Sequence, residues 1–356
     1  MSFFPELKSL CPDTHFFGVG GEELLSEGVE LLYHLKDFSS MGFSEVIAKI
    51  PFYKKALKKI EDEVMARNTQ TAILVDFQGF NMRIAKRLSA RGVKILYYVA
   101  PQAWAWKAHR AQALSKTTHT LFTILPFEKE WFQSRGVDQV KSIPHPLMLH
   151  FKDELGNIPE RKFGSWGEKV KILLLPGSRK FEVTSLLPKF LATIDLLKKD
   201  FNVEVHMAKV GHLDPAIYDY FADKIDVWYS DKEITRALKT AHFTLAASGT
   251  VTLSCGLFEM PTIVAYKGSL LNEFIFRNFI KYTGFVSLTN IVHEQEVFPE
   301  LLQEQVDPAK MYDILKSWIL DKEVYQQKKT LLKETKNLLS GEDFSVPQYM
   351  AQVINE

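Results

Sequence analysis

Short apolar runs alternate with longer amphipathic segments along almost the whole chain, and this alternation restricts the fold more than any other feature. In the first half the runs are "HFFGVGG", "TAILVDF", "KILYYVAP", "HTLFTILP" and "QVKSIPHP". After the polar stretch "KDELGNIPERKFGSWGEK" come "VKILLLPGS", "NVEVHMAKV", "DVWYS", "HFTLAASG" and "PTIVAY". Nearly continuous apolar runs are typical of buried parallel strands, and helical patterns lie between them. The sequence therefore predicts an α/β fold with two Rossmann-like domains facing a cleft.

The length also agrees with two domains, because 356 residues that are 46% hydrophobic exceed the usual size of one hydrophobic core. We expect the first domain at residues 1–152 and the second at residues 169–335. The pattern is helical from Asp307 onwards, and we expect residues 336–356 to form a helix that packs back on the first domain.

Charge and cysteine content exclude several classes of protein. With 44 Lys and Arg against 43 Asp and Glu, the formal net charge is +1, so we expect no nucleic-acid partner. Cys11 and Cys255 lack metal-ligand spacing, which is typical of a reducing cytosol. The start "MSFFPELKSL" has no signal-peptide pattern, and no run reaches the roughly 18 apolar residues of a membrane span. We expect a cytoplasmic protein that is at most peripheral to a membrane.

Two strand ends in the second half predict anion-binding loops. "LLLPGSRKFEV" carries Ser178 and Arg179 where a strand passes into a helix, and "LAASGTVTLSCG" carries Ser248, Gly249 and Thr250 at a second such point. Backbone N–H groups, the helix dipole and an arginine suit a phosphate, and two neighbouring loops suit a diphosphate. The alternative is that each motif is an ordinary capped turn. The absence of a G-x-G-x-x-G after the first strand and of a G-x-x-x-x-G-K-[ST] argues against a dinucleotide oxidoreductase and a P-loop NTPase.

A third strand end, "ILVDFQGFN", predicts a general base. Asp76 ends an apolar strand of the first domain, where a carboxylate is partly desolvated and would face a ligand held by the other domain. The alternative is that Asp76 caps the helix that begins near Phe80.

The motifs together resemble those of the lipid-A-disaccharide synthases. "MGFSEV", "VDFQGFN", "YYVAPQAWAWKAHR", "LPFEKEWF", "PHPL", "LLLPGSRKFEV", "ASGT" and "FVSLTNIV" occur in that family's order and rough spacing over essentially the whole chain. The resemblance implies a GT-B-type glycosyltransferase. It would join UDP-2,3-diacylglucosamine to 2,3-diacylglucosamine 1-phosphate, invert the anomeric carbon and release UDP.

The resemblance also implies roles for individual residues. Asp76 matches the family's aspartate and is the candidate base for the acceptor 6-hydroxyl. The candidates for binding UDP and its phosphates are Ser178, Arg179, Ser248, Gly249, Thr250 and Asn290. The candidates for binding substrate are Asn81, Gln102, Trp104, Trp106, Lys107 and Arg110, although the two tryptophans could instead pack inside the domain. No D-x-D tripeptide is present, so we expect neither a metal nor a cofactor.

The segment "MGFSEVIAKIPFYKKALKKI" predicts peripheral association with the cytoplasmic face of the inner membrane. Its apolar side chains stand beside four lysines, which suits an anionic bilayer surface, and the acyl chains implied by the resemblance favour the same interpretation. The named residues are Phe43, Val46, Ile47, Ile50, Phe52, Tyr53, Lys54, Lys55, Lys58 and Lys59. The alternative is an amphipathic helix whose apolar stripe lies in the core, with a bend at Pro51.

Departures from the family's pattern leave other functions open. Where the family reads D-x-P-D-F-N, this chain has Gln78 and Gly79, and Ser254 stands where a glutamate suited to ribose hydroxyls usually follows S-G-T-x-x-L. The family's opening strand and its G-E-x-S-G-D-like loop have no counterpart before "HFFGVGG", which predicts an unpaired apolar strand edge. We favour a reading frame that starts upstream, with Met1 an internal methionine, over a truncated paralogue. The functional alternatives are a non-catalytic paralogue that binds nucleotide sugar or lipid, and a GT-B relative that acts on another UDP-N-acetylhexosamine.

Overall fold

The computed structural model describes residues 3–38, 48–268 and 284–356, which form two α/β units. One unit is Met1–His150 with Ser340–Glu356, and the other is Phe151–Leu339. Every strand pair in both units is parallel. The predicted α/β class with two Rossmann-like units is confirmed.

The parallel strands of the first unit form two sheets, ordered β1-β2 and β3-β4-β5-β6. The strands are β1 (Phe17–Gly20), β2 (Glu30–His34), β3 (Thr71–Val75), β4 (Lys94–Tyr98), β5 (Thr120–Thr123) and β6 (Val140–Ser142). The helices up to His150 are α1 (Phe4–Leu10), α2 (Glu22–Ser26), α3 (Ile50–Ala66), α4 (Gln78–Ser89), α5 (Ala103–Trp106), α6 (Arg110–Thr117), α7 (Glu128–Gln133) and α8 (Pro146–His150). The sequence analysis missed β2 and placed the other five strands.

The core of the first unit lies on both faces of β3. Ile73 and Val75 pack against one hydrophobic cluster, and Ala72 and Leu74 pack against another, because side chains alternate across a strand. All five residues of β3 are nevertheless only half-buried, since β3 is an edge strand and no strand of the described ranges pairs with its second edge.

The second unit contains one six-stranded sheet in the order β12-β11-β10-β7-β8-β9. Its strands are β7 (Val170–Leu175), β8 (Val203–Ala208), β9 (Val227–Tyr229), β10 (Phe243–Ala247), β11 (Thr262–Tyr266) and β12 (Glu300–Leu302). Its helices are α9 (Lys152–Leu155), α10 (Lys180–Leu197), α11 (Ala216–Asp219), α12 (Ile234–Thr240), α13 (Thr250–Leu257), α14 (Leu288–His293), α15 (Pro308–Leu320) and α16 (Lys322–Leu338). The short strand β12 was not predicted.

The order of the second sheet reverses at its centre. The chain runs outward from β7 through β8 and β9, then returns to β10 on the other side of β7 and continues outward again. Leu175, the last residue of β7, pairs with Ala246 near the end of β10. The carboxyl ends of these two strands therefore form the topological switch point, where open α/β sheets bind their ligands.

The polar stretch that the sequence suggests as a linker belongs to the second unit. The buried Arg161 side chain donates hydrogen bonds to the carbonyl oxygens of Ala241 (3.1 Å), Phe258 (2.7 Å) and Leu238. Phe163 and Trp166 pack against the hydrophobic cluster of the same unit. This stretch is therefore anchored by a side chain that satisfies the carbonyl groups at the ends of neighbouring helices.

The last helix, α17 (Val346–Asn355), lies in the first unit. Val346, Met350 and Val353 are buried in the same hydrophobic cluster as Phe4 and Leu7 of α1. None of the helices in the described ranges is long and apolar enough to cross a membrane.

Replacing Arg161 by methionine should destabilise the second unit by about 2–4 kcal/mol. The apolar side chain keeps most of the volume but leaves buried carbonyl oxygens without donors. The measurement is the free energy of unfolding in urea. Arg236→Met, which removes an exposed arginine of α12 paired with Glu233, is the matched control and should leave the unfolding midpoint unchanged. Equal midpoints for the two variants would contradict the anchoring role.

Candidate functional site

The structure brings together the five predicted residues that follow β7 and β10. Ser178 and Arg179 come after β7, and Ser248, Gly249 and Thr250 come after its hydrogen-bonded neighbour β10. Four of the five are exposed, and Ser248 is half-buried. These residues lie at the carboxyl ends of the two strands that form the switch point of the second sheet.

The turn after β7 is closed by a carboxylate of the chain itself. Glu182 Oε2 accepts hydrogen bonds from the N–H groups of Ser178 (2.9 Å) and Arg179 (3.2 Å), and Glu182 Oε1 accepts one from Arg179 Nη1 (2.9 Å). Gly177 has φ +117°, and a Cβ atom there would overlap the Glu182 carboxylate. The expectation of open N–H groups at this turn is therefore wrong. What remains for an anion is the Arg179 guanidinium, whose side chain is 81% exposed.

His212, which the sequence analysis did not select, holds the same turn from the loop after β8. Its Nε2 donates to the carbonyl oxygen of Ser178 at 2.9 Å. Both backbone groups of Ser178 are thus held: its N–H donates to Glu182, and its C=O accepts from His212.

The turn after β10 is open. Gly249 is extended, with φ 167°, and precedes the first residue of α13, Thr250. No side chain of the described residues caps α13, so the N–H groups of its first turn are available to an anion. The Ser248 hydroxyl donates a hydrogen bond to the carbonyl oxygen of Val286 at 2.8 Å. This bond holds the first residue of the turn in place.

Asn290 does not fit the predicted contact with UDP. It is 0% exposed, its Nδ2 donates to Phe298 O and Glu300 Oε1, and its Oδ1 accepts from the N–H groups of Val297 and Phe298. An amide side chain with all these bonds has no polar atom left for a ligand. We assign Asn290 a structural role, because it fastens α14 to the segment before β12.

Two further residues of this region are Glu300, which holds a loop, and Ser254, which is buried. Glu300 accepts hydrogen bonds from the N–H groups of Val286 (2.9 Å) and Ser287 (2.8 Å), so it shapes the segment that Ser248 contacts. Ser254 is buried within α13 at 6% exposure. No carboxylate therefore stands at the position where the family usually has a glutamate.

In the first unit, the backbone at Asp76 is strained and held by three hydrogen bonds. Asp76 and Phe77 have φ of 45° and 41°, values that non-glycine residues rarely adopt. The Asp76 N–H donates to Tyr98 O (2.9 Å), and the Asp76 carbonyl accepts from the Tyr97 hydroxyl (3.0 Å) and Asn81 Nδ2 (2.8 Å). These three hydrogen bonds hold the backbone of Asp76 in this conformation.

The Asp76 side chain is exposed, so the expected partial desolvation is wrong. The capping alternative does not hold either, because the N-cap of α4 is Phe77 and no side chain of the described residues caps that helix. Asn81 is buried and bonds the carbonyls of Val75 and Asp76, which makes it a positioning residue for Asp76.

The loop after β4 holds the remaining candidates of this unit. Gln102 is exposed at the start of α5. The half-buried Trp104 donates its indole N–H to Glu128 Oε1 at 2.9 Å and packs edge-on against Phe127, with ring centroids 5.1 Å apart. This contact favours the alternative that Trp104 packs inside the domain. The side chain of Trp106 lies outside the described part of the structure.

Lys107 and Arg110 stand near the carboxyl end of β3. Arg110 Nη1 donates to Gln78 Oε1 at 2.7 Å, which connects this loop to the first turn of α4. Burial lowers the pKa of Lys107 and of Arg110, and Arg83 of α4 lowers both further by charge repulsion. Arg83 was not selected from the sequence.

The segment predicted to meet a membrane is described only from residue 48 onwards, so Phe43, Val46 and Ile47 lie outside the described residues. Pro51 lies in the first turn of α3, whose N-cap is Lys49. Phe52 and Tyr53 pack against the cluster around Phe38, which corrects their assignment to a membrane-facing surface. Ile50 and the lysines are exposed, the latter being Lys54, Lys55, Lys58 and Lys59.

Within the described ranges, no group of three or more His, Cys, Asp or Glu side chains is arranged to hold a metal ion. Sequence reasoning missed the groups that hold the loops, namely Glu182, His212, Glu300, Tyr97 and Glu128. Only Glu182 had a local signal, because a glutamate three residues after the N-cap is typical of a capping box.

The chain is similar to known proteins over nearly its whole length. Residues 2–354 match the family described as lipid-A-disaccharide synthetase. The lipid-A-disaccharide synthase of Myxococcus xanthus is 31% identical over 325 residues, which cover 88% of this chain and 82% of the relative. That of Paramagnetospirillum magneticum is 32% identical over 314 residues, which cover 83% of this chain and 77% of the relative.

Two solved structures have a similar fold. A UDP-GlcNAc 2-epimerase from Neisseria meningitidis bound to UDP-GlcNAc has a TM-score of 0.57 and 11% identity, covering 99% of this chain and 95% of its own. A spinosyn rhamnosyltransferase complexed with thymidine diphosphate has a TM-score of 0.58 and 10% identity, covering 96% of this chain and 100% of its own. At these identities the likeness concerns the fold alone, and it confirms the expected GT-B type.

The stability of the first unit should depend on the ionisation of Glu128 beneath Trp104. Burial raises the pKa of Glu128 to about 7, although hydrogen bonds from Trp104 and from two backbone N–H groups lower it. In the unfolded chain a glutamate titrates near pH 4.3. Between these values the folded state binds more protons than the unfolded state, so the free energy of unfolding should fall as the pH rises from about 4.5 to 7, by about 2–3 kcal/mol.

Glu128→Gln should remove this pH-dependent loss, and urea titrations at pH 5, 6, 7 and 8 would measure it. The variant will be less stable at every pH, because an amide offers one acceptor oxygen to three N–H donors, so the slope with pH is the test. Glu130→Gln, which changes an exposed glutamate of the same helix, should keep the wild-type slope.

Proposed function

This chain belongs to the lipid-A-disaccharide synthetase family, and we propose that it is an inverting glycosyltransferase. It joins UDP-2,3-diacylglucosamine to 2,3-diacylglucosamine 1-phosphate and releases UDP. The observation that carries the proposal is the switch point of the second sheet, where the exposed Arg179 and the uncapped start of α13 follow adjacent strands. An arginine beside open helix N–H groups suits the diphosphate of a nucleotide sugar.

The second unit supplies the donor site. The Arg179 guanidinium binds the diphosphate from the β7 side, and the N–H groups at Gly249 and Thr250 bind it from the β10 side. Negative charge grows on the UDP oxygen as the bond to the anomeric carbon breaks, and donors fixed in advance stabilise that charge more than mobile water does. Glu182 and His212 hold the Ser178–Arg179 turn in place for this purpose.

Asp76 is the general base. Its carboxylate takes the proton from the acceptor 6-hydroxyl while that oxygen attacks the anomeric carbon from the face opposite to UDP. The new bond joins O6 to the anomeric carbon, the bond to UDP breaks, and configuration inverts. An exposed carboxylate is accessible to an incoming hydroxyl, and the backbone that carries it is held by Tyr97 and Asn81.

The loop after β4 completes the acceptor side. Exposed Gln102 can bond a sugar hydroxyl, and the aromatic ring of Trp104 offers an apolar surface for stacking even though its N–H group is occupied. The exposed lysines of α3 support peripheral association with the cytoplasmic face of the inner membrane, because they suit an anionic lipid surface.

One alternative has specific support. Gly79 and the buried Ser254 replace two carboxylates of the family's pattern, which favours a non-catalytic paralogue that binds nucleotide sugar or lipid. Incubating the purified protein with the two diacylated precursors in detergent decides between these functions. UDP and a disaccharide 1-phosphate are the expected products. Binding of UDP without either product would favour the paralogue, and product formation only with another UDP-N-acetylhexosamine would favour a different GT-B activity.

Asp76→Asn should lower kcat by about 10²–10⁴ and leave the Kd for UDP unchanged, because a base acts on the acceptor proton and not on the donor. Asparagine is the suitable replacement since it tolerates the positive φ that this position requires. Turnover assays and calorimetry with UDP measure the two quantities. Asp138→Asn, an exposed aspartate of the same unit, is the control. A parallel loss of UDP binding and turnover would assign Asp76 a structural role.

Arg179→Ala should raise the Kd for UDP about tenfold, because it removes the charge-assisted contact to the diphosphate. Calorimetric titration with UDP is the measurement, and titration with uridine should show no difference, since uridine has no phosphate. Lys322→Ala removes one exposed positive charge elsewhere in the unit and controls for net charge. An unchanged Kd for UDP would mean that the guanidinium does not reach the diphosphate.

A further inference from the structure

Three cationic side chains gather around the first turn of α4. Arg83 Nη1 donates to the carbonyl oxygen of Gly79, and Arg110 Nη1 donates to Gln78 Oε1 at 2.7 Å. Gln78 and Gly79 are the first two residues of α4. Both guanidinium groups are therefore tied to one helical turn, although Arg110 comes from a different part of the chain.

Lys107 lies beside Arg110 on the same loop, because the Arg110 N–H donates to the Lys107 carbonyl oxygen at 2.9 Å. The pKa of Lys107 is lowered by burial and then by the charges of Arg110 and Arg83. The pKa of Arg110 is lowered by burial, partly restored by Tyr97, and lowered again by Arg83. The three positive charges repel one another, whereas a bound anion would attract all three. We refer to Arg83, Lys107 and Arg110 as the α4 cation cluster.

The start of α4 offers room for an anion. No side chain of the described residues caps the helix, so the N–H groups of its first turn add a favourable dipole. A Cβ atom placed on Gly79 would meet nothing within 4 Å, so the space next to this residue of the first turn is open. Residue 79 is a glycine, so no acidic side chain offsets the cations from this position.

The position relative to Asp76 indicates which anion belongs there. Asp76 precedes Gln78 by two residues. The Asp76 carbonyl oxygen accepts from the Tyr97 hydroxyl at 3.0 Å, and Gln78 Oε1 accepts from Arg110 Nη1 at 2.7 Å. The cluster is thus tied to the helical turn that follows the residue we propose as the base for the acceptor. Two guanidinium groups and an ammonium group suit the charge of a phosphate monoester.

We propose that the α4 cation cluster binds the phosphate monoester of the acceptor sugar, with Arg83 as a specificity-determining residue. This inference rests on the proposed function, in which the acceptor carries a 1-phosphate and the diphosphate of the donor binds in the second unit. The cluster selects phosphorylated acceptors and contributes nothing to donor binding.

Arg83→Ala in the full chain tests the proposal. With the phosphorylated acceptor, KM should rise about tenfold, as expected for the loss of one charge-assisted contact. With 2,3-diacylglucosamine that lacks the phosphate, KM should be high for the wild type and unchanged by the substitution. KM for the UDP-sugar should stay the same, and Arg83→Lys should recover part of the loss. Arg91→Ala, at the other end of α4, removes one positive charge as a control and should behave as the wild type. An equal rise in KM for both acceptors, or no rise for the phosphorylated one, would overturn the assignment.

A binding measurement separates this inference from the proposed function. Glucosamine 1-phosphate is a soluble phosphate monoester, and its Kd can be measured by NMR titration without any turnover. The wild type should bind it, Arg83→Ala should bind it about tenfold more weakly, and the Arg91→Ala control should match the wild type. This result would support the cluster even if no disaccharide were formed. Absence of binding to the wild type, or equally tight binding of inorganic phosphate, would overturn the proposal whatever the outcome of the turnover assay.

Discussion

Parallel pairing is the constraint on which the other features of this molecule depend. A chain that always returns to a sheet in the same direction must cross over through a helix, so the carboxyl ends of all strands collect at one edge. In the second unit the pairing of Leu175 with Ala246 brings the Ser178–Arg179 turn beside the Ser248–Thr250 turn, although they are far apart in sequence. In the first unit the same rule places Asp76 beside the loop that follows β4. Side chains at these edges could not meet in an antiparallel arrangement of the same strands.

Parallel sheets leave a recurring problem at those edges, because each chain must turn from strand to helix with several N–H groups unpaired. The structure solves it three times in the same way, with one glutamate that accepts two consecutive backbone N–H groups. Glu128 accepts from Ile124 and Leu125 after β5, Glu182 accepts from Ser178 and Arg179 after β7, and Glu300 accepts from Val286 and Ser287. These carboxylates give the loops their shape. The starts of α4 and α13, by contrast, have no capping side chain among the described residues.

The sequence predicted much of the fold and the grouping of the candidate site, and the exceptions have physical reasons. Ten strands were found from apolar runs. The strands β2 (ELLYH) and β12 (ELL) each begin with a glutamate and have only two or three apolar residues in a row, so a local pattern does not distinguish them from loops or helix ends. The adjacency of β7 and β10 follows from the strand order of an α/β sheet and could therefore be predicted from the sequence. The burial of Asn290 was not, because its partners at Val297, Phe298 and Glu300 are fixed by a turn whose geometry no spacing rule predicts. The hydrogen bond from Trp104 to the buried Glu128 could not be predicted for the same reason, because the two residues are brought together only by the fold.

The phosphates bound at the two proposed sites play different parts in the reaction. The diphosphate of the donor gains charge as the glycosidic bond to it breaks, so donors that are held rigidly by the backbone, such as the helix N–H groups at Thr250, stabilise the transition state more than the ground state. The phosphate of the acceptor keeps the same charge throughout the reaction. Side chains such as Arg83 and Lys107 can bind it equally in both states, which lowers KM without raising kcat. Side-chain cations are therefore sufficient at the acceptor site, because they do not have to stabilise a change of charge.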